Sequence, residues 1–428
     1  MDARGKSLNV YLATLGCRLN EAEIALWKRE LLRGGDSIAE DPTQANLFVV
    51  NTCAVTEEAV RKSRKLTARL RKQNPSATIA LTGCFATLEK ERAEKMAGVD
   101  LVVSNGDKNK LVQTLRSNFP DLKTTPFPPA VARAKTRAFL KVQDGCRNRC
   151  TFCIVTIARG QEISSSPETV VEQVARFVSE GFSEVVLTGV HLGGYGVDLG
   201  TDLVSLVRKI LKETSVERLR LSSLEPWDLP ADFFRLWDDP RLMPHLHLPL
   251  QSGCDSVLKR MARRCPTEKY RDLVATIREN IPDLTVTTDL IVGFPNETED
   301  EHARSMEFVE SMEFTHMHVF PFSRREGTTA ARMSGDLPRE IKRRRCAEAI
   351  EIGERMRNRQ LRNFSGDVRP VLFEHSKVTP SGKWVHSGYT DNYLRVICQT
   401  DYELPIQGTV QKVKLGEQMD RSLSAELL

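Results

Sequence analysis

Apolar positions in the first third of the chain alternate between strand-like and helix-like spacing. A helical pattern runs from Asn20, as N-cap, to about residue 33, and a second covers 56–72. Short apolar runs that suit buried strands lie at residues 10–13, 46–50, 78–81 and 101–103. This strand–helix rhythm predicts an α/β domain over residues 1–125, with a flavodoxin-like parallel sheet.

The middle of the chain repeats the strand–helix alternation six times. The strand-like runs lie at residues 139–143, 184–189, 219–223, 245–250, 285–292 and 316–320. Ser166 and Pro167 open one of the intervening helices, and Thr298 to Glu301 has the form of a capping box. Six such units predict a partial (β/α)6 barrel of the TIM type over residues 131–365, after a proline-rich linker at 120–129.

The last sixty residues carry short β-type runs separated by turns. These runs lie at residues 369–374, 384–385, 393–397 and 408–413. They predict a small β-barrel over residues 366–428, of the kind that oligonucleotide-binding folds use. Trp384, Tyr389 and Tyr393 suit either stacking on bases or packing in the core, and both interpretations stay open. Seven basic against eight acidic residues make the segment a weak attractor for phosphate.

Composition narrows the class of protein. Of 428 residues, 40% are hydrophobic and 28% charged, as in ordinary globular proteins. No apolar run approaches a membrane span, and the N-terminus lacks the apolar segment of a signal peptide. We therefore expect a cytoplasmic protein without a membrane partner, in which ten cysteines serve as thiols rather than disulfides. A net charge of +5 permits a nucleic-acid partner without requiring one.

One polar loop after a predicted strand carries the most distinctive chemistry. Cys146, Cys150 and Cys153 follow each other in a C-x3-C-x2-C spacing. Three thiolates on a four-iron cluster leave one iron without a protein ligand, and an open coordination position marks a metal site that performs chemistry. Zinc is the rival interpretation, but a closed zinc site needs a fourth ligand, and the next histidine, His191, is distant. The spacing favours the cluster.

Three further cysteines share one topological position. Cys17, Cys53 and Cys84 each come just after a predicted strand of the first domain. The carboxyl ends of parallel strands meet at one edge of a sheet, where ligands bind. Buried structural cysteines are the alternative, but three at equivalent positions indicate a second three-thiolate cluster.

The C-x3-C-x2-C loop, with Phe152 before its last cysteine, resembles the signature of the radical S-adenosylmethionine superfamily. That resemblance implies S-adenosylmethionine as a cofactor, bound to the open iron and cleaved by one electron to a 5′-deoxyadenosyl radical. It also implies the six-strand barrel. The sequences TLGCRLN at 14–20, NTCAVT at 51–56 and TGC at 82–84 resemble the N-terminal domain of the methylthiotransferases. This second resemblance implies an auxiliary cluster that carries the inserted sulfur, and an RNA-binding TRAM domain at the C-terminus.

The superfamily's barrel chemistry lies at the carboxyl ends of the strands. Polar residues at those ends are candidates: Thr188, Gly189, His191, Ser223, Glu225, Gln251, Asp289 and Ser323. The resemblance implies that Thr188 and Gly189 meet the methionine moiety and that Glu225 and Gln251 bind the ribose or amino group. Phe152 and Phe320 face the adenine or fill the barrel. Arg159 stabilises an anion, sulfide or substrate, or is simply a solvated side chain.

Within this family the motifs NTCAVTEEA at 51–59 and LTGVHLG at 187–193 resemble the bacterial branch that modifies N6-threonylcarbamoyladenosine. The resemblance implies insertion of a methylthio group at C2 of that base beside the tRNA anticodon, two four-iron clusters, a flavodoxin- or ferredoxin-type electron donor, and a monomer. Three alternatives stay open: isopentenyladenosine in tRNA, an aspartate of a ribosomal protein, and a non-catalytic, metal-stabilised RNA-binding protein. Seven Lys or Arg among residues 61–72 form either a tRNA-facing surface or a solvated helix face.

Overall fold

The structure is a computed structural model that describes residues 8–120 and 136–428. The predicted linker lies almost entirely outside the described residues. The chain forms two compact units. Unit 1 comprises Met1–Arg133, Asp144–Glu162 and Ser323–Ala331. Unit 2 comprises Ala134–Gln143, Ile163–Phe322 and Arg332–Leu428. No helix among the described residues is long and apolar enough to cross a membrane.

Unit 1 is built on a parallel sheet with strand order β2-β1-β3-β4-β5. Its strands are β1 (Asn9–Thr14), β2 (Ser37–Ile38), β3 (Leu47–Thr52), β4 (Thr78–Gly83) and β5 (Leu101–Val103). Its helices are α1 (Arg18–Arg33), α2 (Glu57–Gln73), α3 (Cys84–Leu88), α4 (Lys90–Glu94), α5 (Leu111–Asn118) and α6 (Val155–Arg159). The flavodoxin-like order confirms the prediction. Strand β3 is buried along its whole length because apolar clusters cover both faces of the sheet.

The start of α1 differs from the prediction. Cys17, not Asn20, is the residue that precedes the first helical turn. Asn20 is buried instead, and its amide donates to the Leu15 carbonyl at 2.7 Å. The side chain is therefore used to fasten the loop between β1 and α1 rather than to cap the helix.

Unit 2 begins with six parallel strands in two groups of three, β6-β9-β10 and β11-β12-β13. The six are β6 (Arg137–Lys141), β9 (Glu184–Thr188), β10 (Leu219–Leu221), β11 (His245–His247), β12 (Thr285–Val292) and β13 (His316–Pro321). Two short strands, β7 (Gln143–Asp144) and β8 (Ile163–Ser164), come between β6 and β9 along the chain and belong to neither group. The helices of unit 2 are α7 (Pro167–Ser179), α8 (Leu203–Glu213), α9 (Asp255–Arg260), α10 (Thr267–Asn280), α11 (Glu299–Ser311) and α12 (Arg339–Asn363). A parallel bridge joins Leu219, in β10, to Leu242, three residues before β11. The partial six-strand barrel is confirmed.

The chain ends in a closed five-strand barrel with order β14-β15-β16-β18-β17. Its strands are β14 (Val368–Val378), β15 (Trp384–Thr390), β16 (Arg395–Thr400), β17 (Val410–Met419) and β18 (Ser422–Leu427). A separate apolar cluster fills it. The predicted small β-barrel is confirmed, with β18 as a strand that the sequence pattern did not reveal.

A buried ionic network joins this small barrel to the six-strand barrel within unit 2. Glu184 is fully buried and accepts hydrogen bonds from Arg137 at 2.6 Å, Arg218 at 3.0 Å and Arg220 at 2.9 Å. Arg218 also donates to the Thr390 carbonyl at 3.2 Å. Burial opposes ionisation of Glu184, but the three arginines outweigh it and hold its pKa well below the usual range.

The tyrosines considered for base stacking are used in this junction. Tyr389 and Tyr393 stack on each other with ring centroids 4.7 Å apart, and Tyr393 stacks on His245 at 4.6 Å. The Arg220 guanidinium lies 4.8 Å from the centroid of the Tyr393 ring. Of the two open interpretations, packing applies to these two residues.

We expect Glu184→Gln to lower the free energy of unfolding by about 3–5 kcal/mol at neutral pH, because it leaves buried guanidinium groups uncompensated. The stabilisation from the carboxylate is present above its unfolded pKa and is lost as pH falls towards its lowered folded pKa. Denaturant unfolding of the reduced protein measures the change. Glu217→Gln, at an exposed position, is the control. Equal unfolding free energies for the two variants would contradict the role of the network.

Candidate functional site

The sheet of unit 1 brings three cysteines to one edge. Cys17 follows β1, Cys53 follows β3 directly, and Cys84 opens α3 after β4. A Cβ atom added to Gly16 would lie 2.9 Å from the Cys53 sulfur, and one added to Gly83 would lie 2.2 Å from the Thr52 carbonyl oxygen. Both glycines have positive φ, +110° and +101°. Only glycine at these two positions lets the strand ends approach so closely, and the three thiols converge as a result.

The three cysteines are close enough for their charges to act on one another. Burial raises the pKa of Cys53 to about 11, and the charges of Cys84 and Cys17 add to that shift. Cys17 is exposed as a residue, but neighbouring protein removes solvent around its sulfur and raises its pKa, which the Arg159 guanidinium opposes. Burial thus disfavours the free thiolates of Cys17 and Cys53, and a metal that binds these two sulfurs takes them as thiolates and displaces the protons.

The second cysteine set lies on the loop that leads into α6, also in unit 1. Cys146, Cys150 and Cys153 are half-buried. The loop is shaped by its own backbone: the Cys146 amide donates to the Gly160 carbonyl at 3.2 Å and the Cys153 amide to the Cys150 carbonyl at 3.1 Å. Phe152 is half-buried on the same turn.

Arg159 ends α6 and is tied into the first cysteine set. Its side chain is 2% exposed. It pairs with Glu23 at 3.0 Å and with Asp144 at 3.0 Å, and donates to the Asn20 amide oxygen at 3.1 Å. The interpretation of Arg159 as a solvated side chain is therefore wrong.

Sequence reasoning missed three residues of this arrangement, Glu23, Lys108 and Asn105. Lys108 pairs with Glu23 at 2.6 Å, and both side chains are 2% exposed. The Asn105 amide lies 3.8 Å from the Cys84 sulfur and donates to the Ala158 carbonyl at 2.7 Å. The one available signal was the spacing of Asn20 and Glu23, which places them on one face of α1.

The cofactor-binding candidates of unit 2 lie at the carboxyl ends of its strands. Thr188 is the buried last residue of β9, with Gly189 next to it. Ser223 is exposed after β10, and Phe320, in β13, is 41% exposed. Gln251, after β11, has a φ of 73°, and its backbone N–H donates to the Asp289 backbone carbonyl at 2.9 Å. The barrel thus collects these residues at one end, while their roles stay predictions.

Glu225 has a partner that the sequence did not indicate. Its carboxylate lies 2.7 Å from the Arg263 guanidinium, which is 2% exposed and lies 4.4 Å from the centroid of the Trp227 ring. His191 is paired in the same way, with Asp228 at 2.5 Å. Ser323 belongs to unit 1, where its hydroxyl accepts from the Glu57 amide at 3.2 Å.

Comparison with known proteins agrees with both cysteine sets. The radical SAM superfamily model matches residues 140–309, and that of an uncharacterized family, UPF0004, matches residues 9–104. Threonylcarbamoyladenosine tRNA methylthiotransferase MtaB of Thermotoga maritima is 37% identical over 397 residues, 90% of each chain. MtaB of Bacillus subtilis is 34% identical over 419 residues, 94% of this chain and 92% of its own. The chain belongs to the radical S-adenosylmethionine methylthiotransferase family.

Other similar proteins place this methylthiotransferase within a wider group. A tRNA-2-methylthio-N(6)-dimethylallyladenosine synthase of Acetivibrio thermocellus is 34% identical over 391 residues, 86% of this chain and 81% of its own. The solved radical S-adenosylmethionine methyltransferase TsrM of Kitasatospora setae superposes with a TM-score of 0.56 at 15% identity, over 76% of this chain and 77% of its own. That likeness shows the fold alone.

The family's cofactors are two four-iron clusters and S-adenosylmethionine, as predicted, and the described residues fit them. Cys17, Cys53 and Cys84 supply one set of three soft sulfur ligands, which iron–sulfur clusters require. Within the other cysteine loop, Asn148 is buried, and neither polar atom of its amide has a hydrogen-bond partner among the described residues. An unsatisfied buried amide is costly in a site that stays empty, so this loop suits a bound group.

We expect Cys53→Ala to lower the iron content of anaerobically reconstituted protein from about eight to about four atoms per chain, because one of two four-iron sites loses a ligand. Iron and sulfide analysis with the visible spectrum measures the loss. Cys398→Ala is the matched control, since Cys398 is a buried thiol inside the C-terminal barrel. Eight irons in the Cys53 variant would contradict the assignment.

Proposed function

We propose that this chain converts N6-threonylcarbamoyladenosine beside the tRNA anticodon to its 2-methylthio derivative. The observation that carries the proposal is the convergence of Cys17, Cys53 and Cys84 in a chain that resembles MtaB along most of its length. A radical enzyme that only activates a C–H bond needs one cluster. A second three-thiolate site is what sulfur insertion adds.

The chemistry requires a radical because C2 of adenine carries an unactivated C–H bond, which offers neither an acidic proton nor a leaving group. S-adenosylmethionine and the two clusters, when bound, supply the radical and the sulfur. The protein holds them: Cys146, Cys150 and Cys153 are the ligands for the first cluster and Cys17, Cys53 and Cys84 for the second.

The barrel residues supply binding and orientation. Gly189 lets the Gln143 side chain lie against the backbone after β9, because a Cβ atom there would be 2.9 Å from the Gln143 amide oxygen, and Thr188 offers a hydroxyl beside it. The Arg263 guanidinium fixes the Glu225 carboxylate as an oriented acceptor for an amino or hydroxyl group. We assign these residues, with Ser223, Gln251 and Phe320, to S-adenosylmethionine. Phe152, on the cysteine loop of unit 1, stays a separate candidate for the same cofactor.

Helix α2 supports the tRNA part of the proposal. Arg64, Lys65, Arg69 and Lys72 are exposed along it. Arg71 is not available, because its guanidinium donates to the Ala77 carbonyl at 2.7 Å and pairs with Asp100 at 3.0 Å. With Tyr389 and Tyr393 engaged inside unit 2, we assign phosphate contacts to this basic face of α2. We further propose that the protein is a cytoplasmic monomer and that a flavodoxin- or ferredoxin-type protein supplies its electrons.

We expect Lys65→Ala combined with Arg69→Ala to weaken tRNA binding, because fewer phosphates are then neutralised by the protein. The slope of log K against log salt should fall by about 1 for each phosphate that is no longer neutralised. Binding titrations at several salt concentrations measure both quantities. Lys212→Ala, an exposed lysine on α8, is the control and keeps the parent slope. An unchanged slope in the double variant would exclude α2 as the phosphate-binding surface.

The substrate itself is tested by mass spectrometry of tRNA nucleosides from a strain that lacks this protein. We expect 2-methylthio-N6-threonylcarbamoyladenosine to disappear and its unmodified parent nucleoside to accumulate. Complementation with the intact gene restores the product, whereas the Cys53→Ala variant does not. Loss of the methylthio derivative of isopentenyladenosine instead would move the protein to the other tRNA branch.

A further inference from the structure

A buried ion pair lies next to the side chains that contact Cys17 and Cys84 in unit 1. Arg159 and Glu23 are 3.0 Å apart, and both side chains are 2% exposed. The other Glu23 oxygen accepts from Lys108 at 2.6 Å and from the Asn51 amide at 2.9 Å. The four residues of this group come from different segments of unit 1, so the ion pair is fixed by contacts from several directions.

Two amide side chains connect this ion pair to the sulfur ligands. The Asn20 oxygen accepts from Arg159 at 3.1 Å and lies 3.8 Å from the Cys17 sulfur. On the other side, Asn105 lies 3.8 Å from the Cys84 sulfur and donates to the carbonyl of Ala158, the residue before Arg159. The guanidinium is thus fixed with respect to two of the three cysteines, in the manner of partners that orient metal ligands.

The two charges act on the sulfur ligands with opposite sign. Arg159 brings a positive charge and Glu23 a negative one, and the Asn20 oxygen contacts both the Arg159 guanidinium, at 3.1 Å, and the Cys17 sulfur, at 3.8 Å. A guanidinium is always charged in proteins, so its positive charge persists at every working pH. At low effective dielectric, a fixed charge a few ångströms from a site has a large effect on any charge change there.

We propose that Arg159 and Glu23 set the reduction potential of the cluster held by Cys17, Cys53 and Cys84. Reduction adds negative charge to that cluster, and its potential depends on nearby charges and hydrogen bonds. Arg159 favours the reduced form and Glu23 opposes it. Arg159 is then a positioning residue that acts through the cysteine ligands, not a group that contacts the substrate. The inference rests on the proposed cluster site and adds the residues that tune it.

The test uses the full-length chain with Cys146, Cys150 and Cys153 changed to alanine, so that only the cluster on the remaining trio is loaded. An anaerobic redox titration followed by electron paramagnetic resonance gives its midpoint potential. We expect Glu23→Gln to raise the potential and Arg159→Gln to lower it. Each change corresponds to at least tenfold in the one-electron reduction equilibrium, or about 59 mV. The double variant returns to within about threefold of the parent.

Glu21→Gln is the matched control, because Glu21 lies on the same helix but pairs with Arg18 at the exposed surface. It leaves the potential unchanged. A purely structural role predicts shifts of the same sign, or no shift, in the two single variants, and either result would overturn the inference. If Arg159→Gln fails to retain iron, Glu23→Gln decides alone: an upward shift supports the inference and no shift overturns it. Absence of iron in the parent with the trio intact would instead count against the proposed function.

Discussion

Close approach of neighbouring strand ends in a parallel sheet is the constraint on which the rest of this molecule depends. Thiols from Cys17, Cys53 and Cys84 meet only because their strands run in the same direction and end at one edge. Glycines before two of them remove the side chains that would otherwise keep the loops apart. The site is therefore made by topology, and the cysteines need no proximity in sequence.

In unit 2, buried charges hold two barrels together. Its small C-terminal barrel shares the Glu184 network and the Tyr393–His245 stack with the six-strand barrel. Fully buried charges tolerate no change of spacing, because any gap leaves one of them uncompensated. This junction makes the C-terminal barrel a fixed part of the unit. Aromatic residues that an isolated oligonucleotide-binding fold offers to bases are here engaged in packing.

The sequence predicted what depends on local pattern. Strand β3 has a continuous apolar run, helix α2 after it has an amphipathic period, and Cys53 falls at the end of the strand. Three strands escaped prediction: β2 and β8 have only two residues each, and β18 carries a weak apolar pattern. The pairing of Arg159 with Glu23 joins residues 136 positions apart. No periodicity records such a contact, so ion pairs and their effect on Arg159 emerge only from the folded chain.

The buried pair of Glu23 and Arg159 near the cysteines bears on what this part of unit 1 does. Buried charges rarely stabilise a fold better than apolar side chains of similar volume would, because desolvation offsets their attraction. An apolar contact between α1 and α6 would join the two segments as firmly as Glu23 and Arg159 do. What it would lack is a fixed field at the sulfur ligands. A site whose occupant changes charge during turnover gains from such a field, since preorganised charges respond to that change without reorganising. Function in charge transfer, rather than stability, is the better account of this pair.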